Sequence, residues 1–426
     1  MIQTIINPDR TQWQSLMQRA VNDTAELRET VAGIIADVRT RGDEALRDFS
    51  RRFDGVELGS LKVSVDEIDE ADDIVPHNLK QAIAVAAKNI SKFHKAQRME
   101  EITVETVPGV TCSQRAVPIS KVGLYVPGGN SPLFSTVLML AIPARIAGCR
   151  KIVLCTPPNK EGKVHPAILY AARVAGVTEI YKVGGAQAVA AMAYGTESVP
   201  KVHKIFGPGN RFVMEAKQQV GAQAAAIDMP AGPSEVMIIA DENANPAFVA
   251  SDFLSQAEHG PDSQSILLTS SREFAERLPQ VLDEMLNTLP RKEMMMKSLS
   301  HSRIIVLENE KDIMDFSNEY APEHLIINHA DADRLAEKVE NAGSVFLGAY
   351  SPESAGDYAS GTNHTLPTSG YAHAYSGVNL DSFCKKITFQ RLTQEGINSI
   401  GGAIELMAEN EDLMAHKLAV TVRMNK

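Results

Sequence analysis

The amino-acid sequence predicts an α/β protein with two doubly wound parallel-sheet domains. Three observations support this prediction: two separate series of short β-rich runs, helical stretches between most of those runs, and glycine-rich turns directly after several of them. The chain has 426 residues, of which 44% are hydrophobic and 22% are charged. This composition is ordinary for a globular protein, and the length suffices for two or three domains.

The first series of β-rich runs begins near residue 121. Its strands are predicted at 122–126, 151–155, 179–183 and 204–206, with helices at 135–147, 165–174, 186–193 and from 210 onward. The second series has strands at 235–240, 265–269, 303–307, 324–327 and 345–347. Strand–helix–strand alternation at this spacing favours parallel sheets with right-handed crossovers.

The two ends of the chain are predicted to be mainly helical. Apolar residues recur at helical spacing in 24–49 and 79–97, whereas 102–119 alternates polar and apolar residues around Gly109, which indicates a β-hairpin. After residue 379 the pattern predicts helices at 395–407 and 411–423. Because this tail is too short for a core of its own, we expect it to pack on something else, such as another subunit.

Charge and composition restrict the classes of partner. The chain carries 42 Lys+Arg and 53 Asp+Glu, a net charge of −11, which argues against binding nucleic acid through a basic face. It has no apolar run of about 18 residues that could span a membrane, and its N-terminus lacks a secretory pattern. The four cysteines form no CxxC pair and are typical of reduced thiols, so we expect a cytoplasmic protein.

Three glycine-rich turns are candidates for binding a phosphate-containing ligand. They lie at 127–130, 184–187 and 207–210, and each follows a predicted strand and precedes a helix. Such turns let a phosphate approach backbone N–H groups beyond the carboxyl ends of strands. Glycine is equally useful in tight turns without a ligand, and Phe212 breaks the GxGxxG pattern at 207–212. The turns alone therefore support dinucleotide binding only weakly.

The second half of the chain contains side chains that could bind a metal ion. Gln256 and His259 lie three residues apart and would share a face of a helix. The pair is a poor metal signature by itself, because zinc prefers His, Cys or carboxylate ligands, and a histidine at a helix end is the alternative interpretation. Asp357, His364 and His416 are further candidates, which spacing alone cannot bring together.

Glu323 and His324 form a candidate acid–base pair at the start of an apolar run, directly after Pro322. An imidazole titrates near neutrality and suits proton abstraction, and a nearby carboxylate suits water activation. In a regular strand the two side chains would point to opposite faces, so they reach one ligand only if the backbone is irregular. A surface Glu–His dipeptide is the alternative interpretation.

Several longer segments resemble the histidinol dehydrogenase family. The segments are 123–129 (GLYVPGG), 207–210 (GPGN), 228–235 (DMPAGPSE), 255–260 (SQAEHG), 321–324 (APEH), 356–358 (GDY) and 363–370 (NHTLPTSG). The resemblance runs in register from the N-terminal helices to the tail. Around 371–375 the chain departs from the family's usual sequence, which has an Arg near the position of His373. This departure concerns local loop contacts and none of the residues assigned below.

The resemblance implies an NAD-dependent, zinc-containing enzyme that oxidises L-histidinol through L-histidinal to L-histidine with two NAD⁺, the last steps of histidine biosynthesis. It also implies two Rossmann-like domains of the aldehyde dehydrogenase type and a homodimer with shared active sites. We accordingly expect an N-terminal helical segment at 1–22, a large α/β domain with the catalytic and metal residues at 23–122 plus 235–378, an NAD-binding domain at 123–234, and a helical tail at 379–426 swapped onto the partner subunit.

The resemblance further assigns roles to individual residues. Those that would contact NAD are Tyr125, Gln187 and Asn210. Those that would hold one zinc ion per subunit, and meet the substrate there, are Gln256, His259, Asp357 and His416. Further substrate contacts would come from Ser234, His324, His364 and Glu411. Glu323 and His324 would be the catalytic pair, with His324 the general base of both oxidations and Glu323 activating the water that hydrates the aldehyde.

Two other interpretations stay open at this point. One is an aldehyde dehydrogenase-like oxidoreductase that works without zinc, which a metal assay would separate from the first. The other is a non-catalytic metabolite-binding protein, which would bind NAD or histidinol without forming NADH. None of the four cysteines lies in a motif like that of aldehyde dehydrogenases, so we favour a hydrate over a thiohemiacetal as the intermediate.

Overall fold

The computed structural model describes residues 2–19, 25–128 and 131–424. Parts of the predicted segments 1–22, 24–49, 127–130 and 379–426, namely residues 1, 20–24, 129, 130, 425 and 426, lie outside these residues. The strands are β1 Gln3–Ile6, β2 Ile102–Val107, β3 Val110–Pro118, β4 Lys121–Tyr125, β5 Lys151–Thr156, β6 Glu179–Lys182, β7 Lys204–Phe206, β8 Ala226–Ile227, β9 Glu235–Ala240, β10 Gln264–Thr269, β11 Arg303–Val306, β12 His324–Asn328, β13 Ser344–Leu347 and β14 Cys384–Leu392.

The α-helices alternate with most of these strands, as predicted. They are α1 Arg10–Leu16, α2 Ala25–Arg41, α3 Asp43–Phe49, α4 Val65–Ile74, α5 His77–Ala96, α6 Phe134–Ala147, α7 Pro166–Ala175, α8 Gly185–Tyr194, α9 Arg211–Gly221, α10 Pro246–Ala257, α11 Arg272–Leu286, α12 Lys292–Leu299, α13 Glu310–Tyr320, α14 Ala332–Ala336, α15 Glu353–Tyr358, α16 Gln394–Asn410 and α17 Met414–Thr421. No helix in 2–19, 25–128 or 131–424 has both the length and the apolar character to cross a membrane.

Two parallel sheets form the framework. The first has the strand order β6-β5-β4-β7-β8 and the second the order β1-β11-β10-β9-β12-β13. In each sheet the chain adds strands outward on one side and then returns to the other, so the order reverses between β4 and β7 and between β9 and β12. This doubly wound arrangement confirms the predicted α/β fold class.

The N-terminal segment differs from its prediction. Residues 1–22 were expected to be helical, but β1 pairs in parallel with β11 at the edge of the second sheet before α1 begins at Arg10. Asp9 caps α1 by accepting a hydrogen bond from Thr11 N–H. A four-residue edge strand has little signal of its own, because the pairing with β11 supplies its backbone hydrogen bonds.

The tail also contains a strand that the sequence analysis missed. β14 pairs antiparallel with β3, which pairs with β2, so the predicted hairpin at 102–119 is confirmed and becomes part of a three-stranded sheet. The two predicted tail helices follow as α16 and α17.

The packing of α2–α5 differs from the predicted grouping of 23–122 with 235–378. Leu27, Val31 and Val38 of α2 lie in one hydrophobic cluster with Tyr125 of β4, a strand of the first sheet, and with α8, which packs on that sheet. Ile83 and Ile90 of α5 join a second cluster, on β4 and α6. Burial of these apolar faces therefore associates α2–α5 with the first sheet. The domain boundaries themselves stay a prediction.

Candidate active site

The predicted acid–base pair lies at the amino end of β12, beside the strand-order reversal of the second sheet. Helix α13 is followed by its C-cap Ala321, whose φ of +51° turns the chain sharply. Pro322 and Glu323 then lead into His324, the first residue of β12. The backbone at the pair is therefore irregular, as one shared ligand requires. Glu323 Oε2 lies 3.6 Å from His324 Nδ1, and both side chains are buried.

Backbone groups of Glu235, the first residue of the neighbouring β9, hold the pair in place. The N–H of Glu235 donates to Glu323 Oε2 at 2.9 Å, and His324 Nδ1 lies 3.3 Å from the Glu235 carbonyl oxygen. Because a carbonyl only accepts, this contact places the proton of a neutral His324 on Nδ1. Nε2 is buried without a hydrogen-bond partner among the described residues, 3.7 Å from Asp357 Oδ1.

Two helix ends carry the metal-type side chains, and three of them, His259, Glu353 and Asp357, lie close together. Gln256 lies in the last turn of α10, His259 lies two residues beyond the end of that helix, and Asp357 lies on α15. One turn before Asp357 on α15 lies Glu353, which no sequence argument had selected. His259 Nε2 is 3.8 Å from Glu353 Oε1 and 3.9 Å from Asp357 Oδ2. Ligand atoms of His259, Glu353 and Asp357 all lie within 4.8 Å of one another.

This group of side chains fits a divalent cation. Both amide atoms of Gln256 and both carboxylate oxygens of Glu353 are buried without hydrogen-bond partners among the described residues. A buried polar group without a partner is costly, and three carboxylates, those of Glu323, Glu353 and Asp357, surround His324. Oxygen and imidazole nitrogen ligands at this spacing are those that zinc and similar ions accept.

Burial and these carboxylates shift the pKa values of the site. Burial raises the pKa of Glu323 to about 8 against the opposing effects of His324 and the Glu235 N–H, and it raises the pKa of Glu353 as well. Burial alone would lower the pKa of His324, but the carboxylates of Glu353, Glu323 and Asp357 raise it to about 10. The site therefore attracts positive charge strongly.

His364 lies next to the group and connects it to the first sheet. Its Nδ1–H donates to the Asp357 carbonyl oxygen at 3.0 Å, and Thr136 Oγ1 of α6 lies 3.1 Å from its Nε2. Burial lowers the pKa of His364, so the ring is neutral and its Nε2 accepts from the Thr136 hydroxyl. Ser234 directly precedes β9, and its carbonyl accepts from Gln264 N–H at 3.2 Å.

The residues predicted to contact NAD lie at the carboxyl edge of the first sheet. Tyr125 ends β4, and its hydroxyl accepts from Gly185 N–H at 3.1 Å in the second glycine turn. Gln187 is buried in the first turn of α8. Asn210 is the last residue of the third turn, is exposed, and caps α9 by accepting from the N–H groups of Phe212 and Val213. Pro127 and Gly128 follow β4 and the third turn follows β7, the two strands at the strand-order reversal, where open α/β sheets bind ligands.

Glu411 and His416 lie in the tail and are exposed. Within the described residues of this single chain, the metal-type group comprises His259, Glu353 and Asp357 and does not include His416. The side chain of His259 is 46% exposed, so the group is open on that side.

Comparison with known proteins identifies the family. The family model described as histidinol dehydrogenase matches residues 17–424. The chain belongs to the histidinol dehydrogenase family. It is 59% identical over 419 residues to the histidinol dehydrogenase of Bacteroides fragilis (strain YCH46), covering 98% of each chain. The enzyme of Escherichia coli (strain K12) is 54% identical over 416 residues, covering 97% of this chain and 95% of that one.

A solved structure agrees with this membership. The crystal structure of histidinol dehydrogenase from Elizabethkingia anophelis superposes with a TM-score of 0.97 at 52% identity, covering 99% of this chain and 98% of that chain. The resemblance stated from the sequence is therefore confirmed, and with it the class of the protein as an oxidoreductase of the histidinol dehydrogenase family.

Glu353 is the residue that sequence reasoning missed in this histidinol dehydrogenase family member. It is four residues before Asp357, so the two share one face of α15, and that spacing was the available signal. The signal was weak because a Glu in the first turn of a helix is ordinary, and only its complete burial separates it from surface carboxylates.

Proposed function

We propose that this protein is an L-histidinol dehydrogenase that oxidises L-histidinol through L-histidinal to L-histidine in histidine biosynthesis, with two NAD⁺ and one zinc ion per subunit. Family membership supports the reaction. The observation that carries the proposal is the direct approach of the acid–base pair to the metal-type group, with His324 Nε2 at 3.7 Å from Asp357 Oδ1. Proton transfer and cation binding can therefore act on one small molecule.

The zinc ligands would be Gln256, His259 and Asp357 of one chain with His416 of a second copy. When bound, the ion would anchor the imidazole and amine nitrogens of histidinol and offset the negative charge of the site. Glu353 is a further buried carboxylate within reach of His259 and would either ligate the ion or orient its ligands.

His324 would remove the hydroxyl proton of histidinol and, in the second step, the proton of the hydrated aldehyde. A bound zinc ion would offset the carboxylates that otherwise keep His324 protonated, and the contact of Nδ1 with the Glu235 carbonyl would then leave the accepting lone pair on Nε2. In each step NAD⁺ would take the hydride from the carbon that bears the deprotonated hydroxyl. The neighbouring carboxylates would stabilise the resulting imidazolium.

Glu323 would activate the water that adds to the aldehyde. Burial raises the pKa of its carboxyl to about 8, close to the range in which a group both accepts and returns a proton at neutral pH. The cysteines support a hydrate over a thiohemiacetal: Cys155 is buried in β5, and burial raises the pKa of Cys149 to about 12.

The dinucleotide would bind at the carboxyl edge of the first sheet, contacted by Tyr125, Gln187 and Asn210. The substrate would meet Ser234 and His364 beside the pair, and Glu411 from a second copy. The tail supports a homodimer with shared sites, because it exposes several large apolar side chains on and next to its two helices: Leu406, Met407, Leu413, Met414, Leu418 and Val422. We also propose a cytoplasmic location, which the free cysteines support.

The decisive experiment mixes purified protein with L-histidinol and NAD⁺ and counts NADH formed per histidinol consumed. Two NADH per histidinol is the expected result. One NADH would mean that oxidation stops at the aldehyde, and none would contradict the proposal. Metal analysis of protein purified without chelator should give one zinc per chain, and a metal-free active enzyme would refute the zinc assignment.

A further inference from the structure

A buried ion pair lies beneath the third glycine turn, outside the residues used so far. Lys217 is in α9 and Asp228 directly follows β8, and each side chain is only 1% exposed. Lys217 Nζ lies 2.5 Å from Asp228 Oδ1. A buried ion pair is seldom needed for stability, because apolar residues of similar size often serve equally well. Its presence calls for another role.

Both members of the pair bind the backbone of Gly207. Lys217 Nζ donates to the Gly207 carbonyl at 2.8 Å, and the Gly207 N–H donates to Asp228 Oδ2 at 2.8 Å. Asp228 Oδ1 also accepts from Met229 N–H at 2.8 Å. One ion pair thus holds both the N–H and the carbonyl group of a single glycine.

Gly207 has a backbone conformation that needs such support. Its φ of +122° is one that residues with a side chain rarely adopt, and an added Cβ would lie 2.1 Å from the carbonyl oxygen of Tyr125. Gly207, the first residue of the turn 207–210, therefore lies tightly against Tyr125 of β4 at the strand-order reversal.

We propose that Lys217 and Asp228 are positioning residues for the dinucleotide: they hold Gly207 so that the turn 207–210 keeps the conformation that binds NAD⁺. This inference rests on the NAD⁺ site of the proposed function. Neither side chain is exposed enough to contact the cofactor, so both act through the backbone of the turn.

The test compares two double variants that both remove the charges. Lys217→Gln with Asp228→Asn retains a donor for the Gly207 carbonyl and an acceptor for its N–H, whereas Lys217→Met with Asp228→Leu retains neither. NAD⁺ and histidinol dissociation constants are measured by calorimetric titration of the zinc-loaded protein, with the melting temperature as a check of folding. Ile83→Ala, in the core between α5 and α6, controls for general destabilisation.

We expect the apolar variant to bind NAD⁺ about tenfold more weakly or worse, because two hydrogen bonds to the turn are lost. The polar variant should stay within about threefold of the original protein, and histidinol binding should change little in either. If the apolar variant does not fold, Lys217→Met with Asp228→Asn removes only the donor to the Gly207 carbonyl and leaves no unpaired buried charge. It should still bind NAD⁺ more weakly than Lys217→Gln with Asp228→Asn.

Three outcomes would overturn the inference. Equal NAD⁺ affinity in the polar and apolar variants would show that the pair does not set the turn. Parallel loss of NAD⁺ and histidinol binding, matched by Ile83→Ala, would show a merely structural role. If the original protein binds histidinol but not NAD⁺, the cofactor assignment and this inference fail together, whereas the first outcome leaves the proposed function intact.

Discussion

The two parallel sheets share a doubly wound architecture, but their candidate functional residues lie at opposite ends of the strands. In the first sheet, Tyr125 lies at the carboxyl end of β4, and the third glycine turn follows the carboxyl end of β7. In the second, Ser234 and the Glu323–His324 pair lie at the amino ends of β9 and β12. Both places adjoin a reversal of strand order.

The two edges also offer different chemical groups. The first presents backbone N–H groups of glycine turns and helix starts, which suit a phosphate. The second presents side chains, because α10 runs back from β9 and brings its final turn, with Gln256, to the starts of the strands. A helix end of this kind favours a cation. Under the proposed function, cofactor binding and proton transfer are divided between edges of opposite polarity.

The largest effect should follow from removing the base at the second edge. We expect His324→Ala to lower kcat by about 10²–10⁴-fold in both oxidations, because proton removal precedes each hydride transfer. Steady-state rates with histidinol and with histidinal measure the two steps, and NAD⁺ affinity should not change. Weaker NAD⁺ binding would break the division between the edges.

A smaller and unequal loss should follow from Glu323→Gln. Water is needed only for the aldehyde step, so we expect about 10²-fold loss there and a lesser loss in alcohol oxidation. The two half-reactions are measured separately with supplied histidinol and histidinal. Equal losses would remove the water-activating role from Glu323.

Zinc affinity tests the role of Glu353, which the sequence predictions did not include. We expect Glu353→Gln to weaken zinc binding about 10–100-fold, because a buried negative charge in contact with His259 is lost. Chelator competition followed by metal analysis gives the affinity. Glu273→Gln, at a carboxylate 85% exposed on α11, is the matched control and should retain zinc. Unchanged zinc affinity in the first variant would assign Glu353 to neither ligation nor ligand orientation.

Mixing two inactive variants tests whether the second edge is completed by another chain. Co-refolded His259→Ala and His416→Ala chains should regain about a quarter of the original activity, since half of the dimers are hybrids with one intact site each. Activity per chain, with hybrids verified by mass spectrometry, measures this. Hybrids without activity would mean that each site is built within one chain.

The smallest effect should come from the first edge. Tyr125→Phe removes the hydroxyl that accepts from Gly185 N–H, so we expect NAD⁺ affinity to fall about fivefold, equivalent to roughly 1 kcal/mol. Titration with NAD⁺ measures the change, and zinc content should stay constant. Loss of zinc together with NAD⁺ would contradict the separation of the two edges.

Much of the framework could be predicted because its signals are local. The four predicted strands of the first sheet, β4 to β7, lie within one or two residues of their predicted bounds, since apolar runs and the glycines after them are adjacent in sequence. β1, β8 and β14 were missed because each is a short, exposed or polar strand that exists through its pairing with another strand.

Fold class, family and most of the candidate site residues could be predicted before any coordinates, because long motifs are contiguous and can be matched directly. The packing of the folded chain was needed to show that Glu353 lies beside His259, that α2–α5 pack on the first sheet, and that Lys217 and Asp228 meet under Gly207. These are contacts between residues far apart along the chain or questions of burial, and both depend on how all the elements pack together.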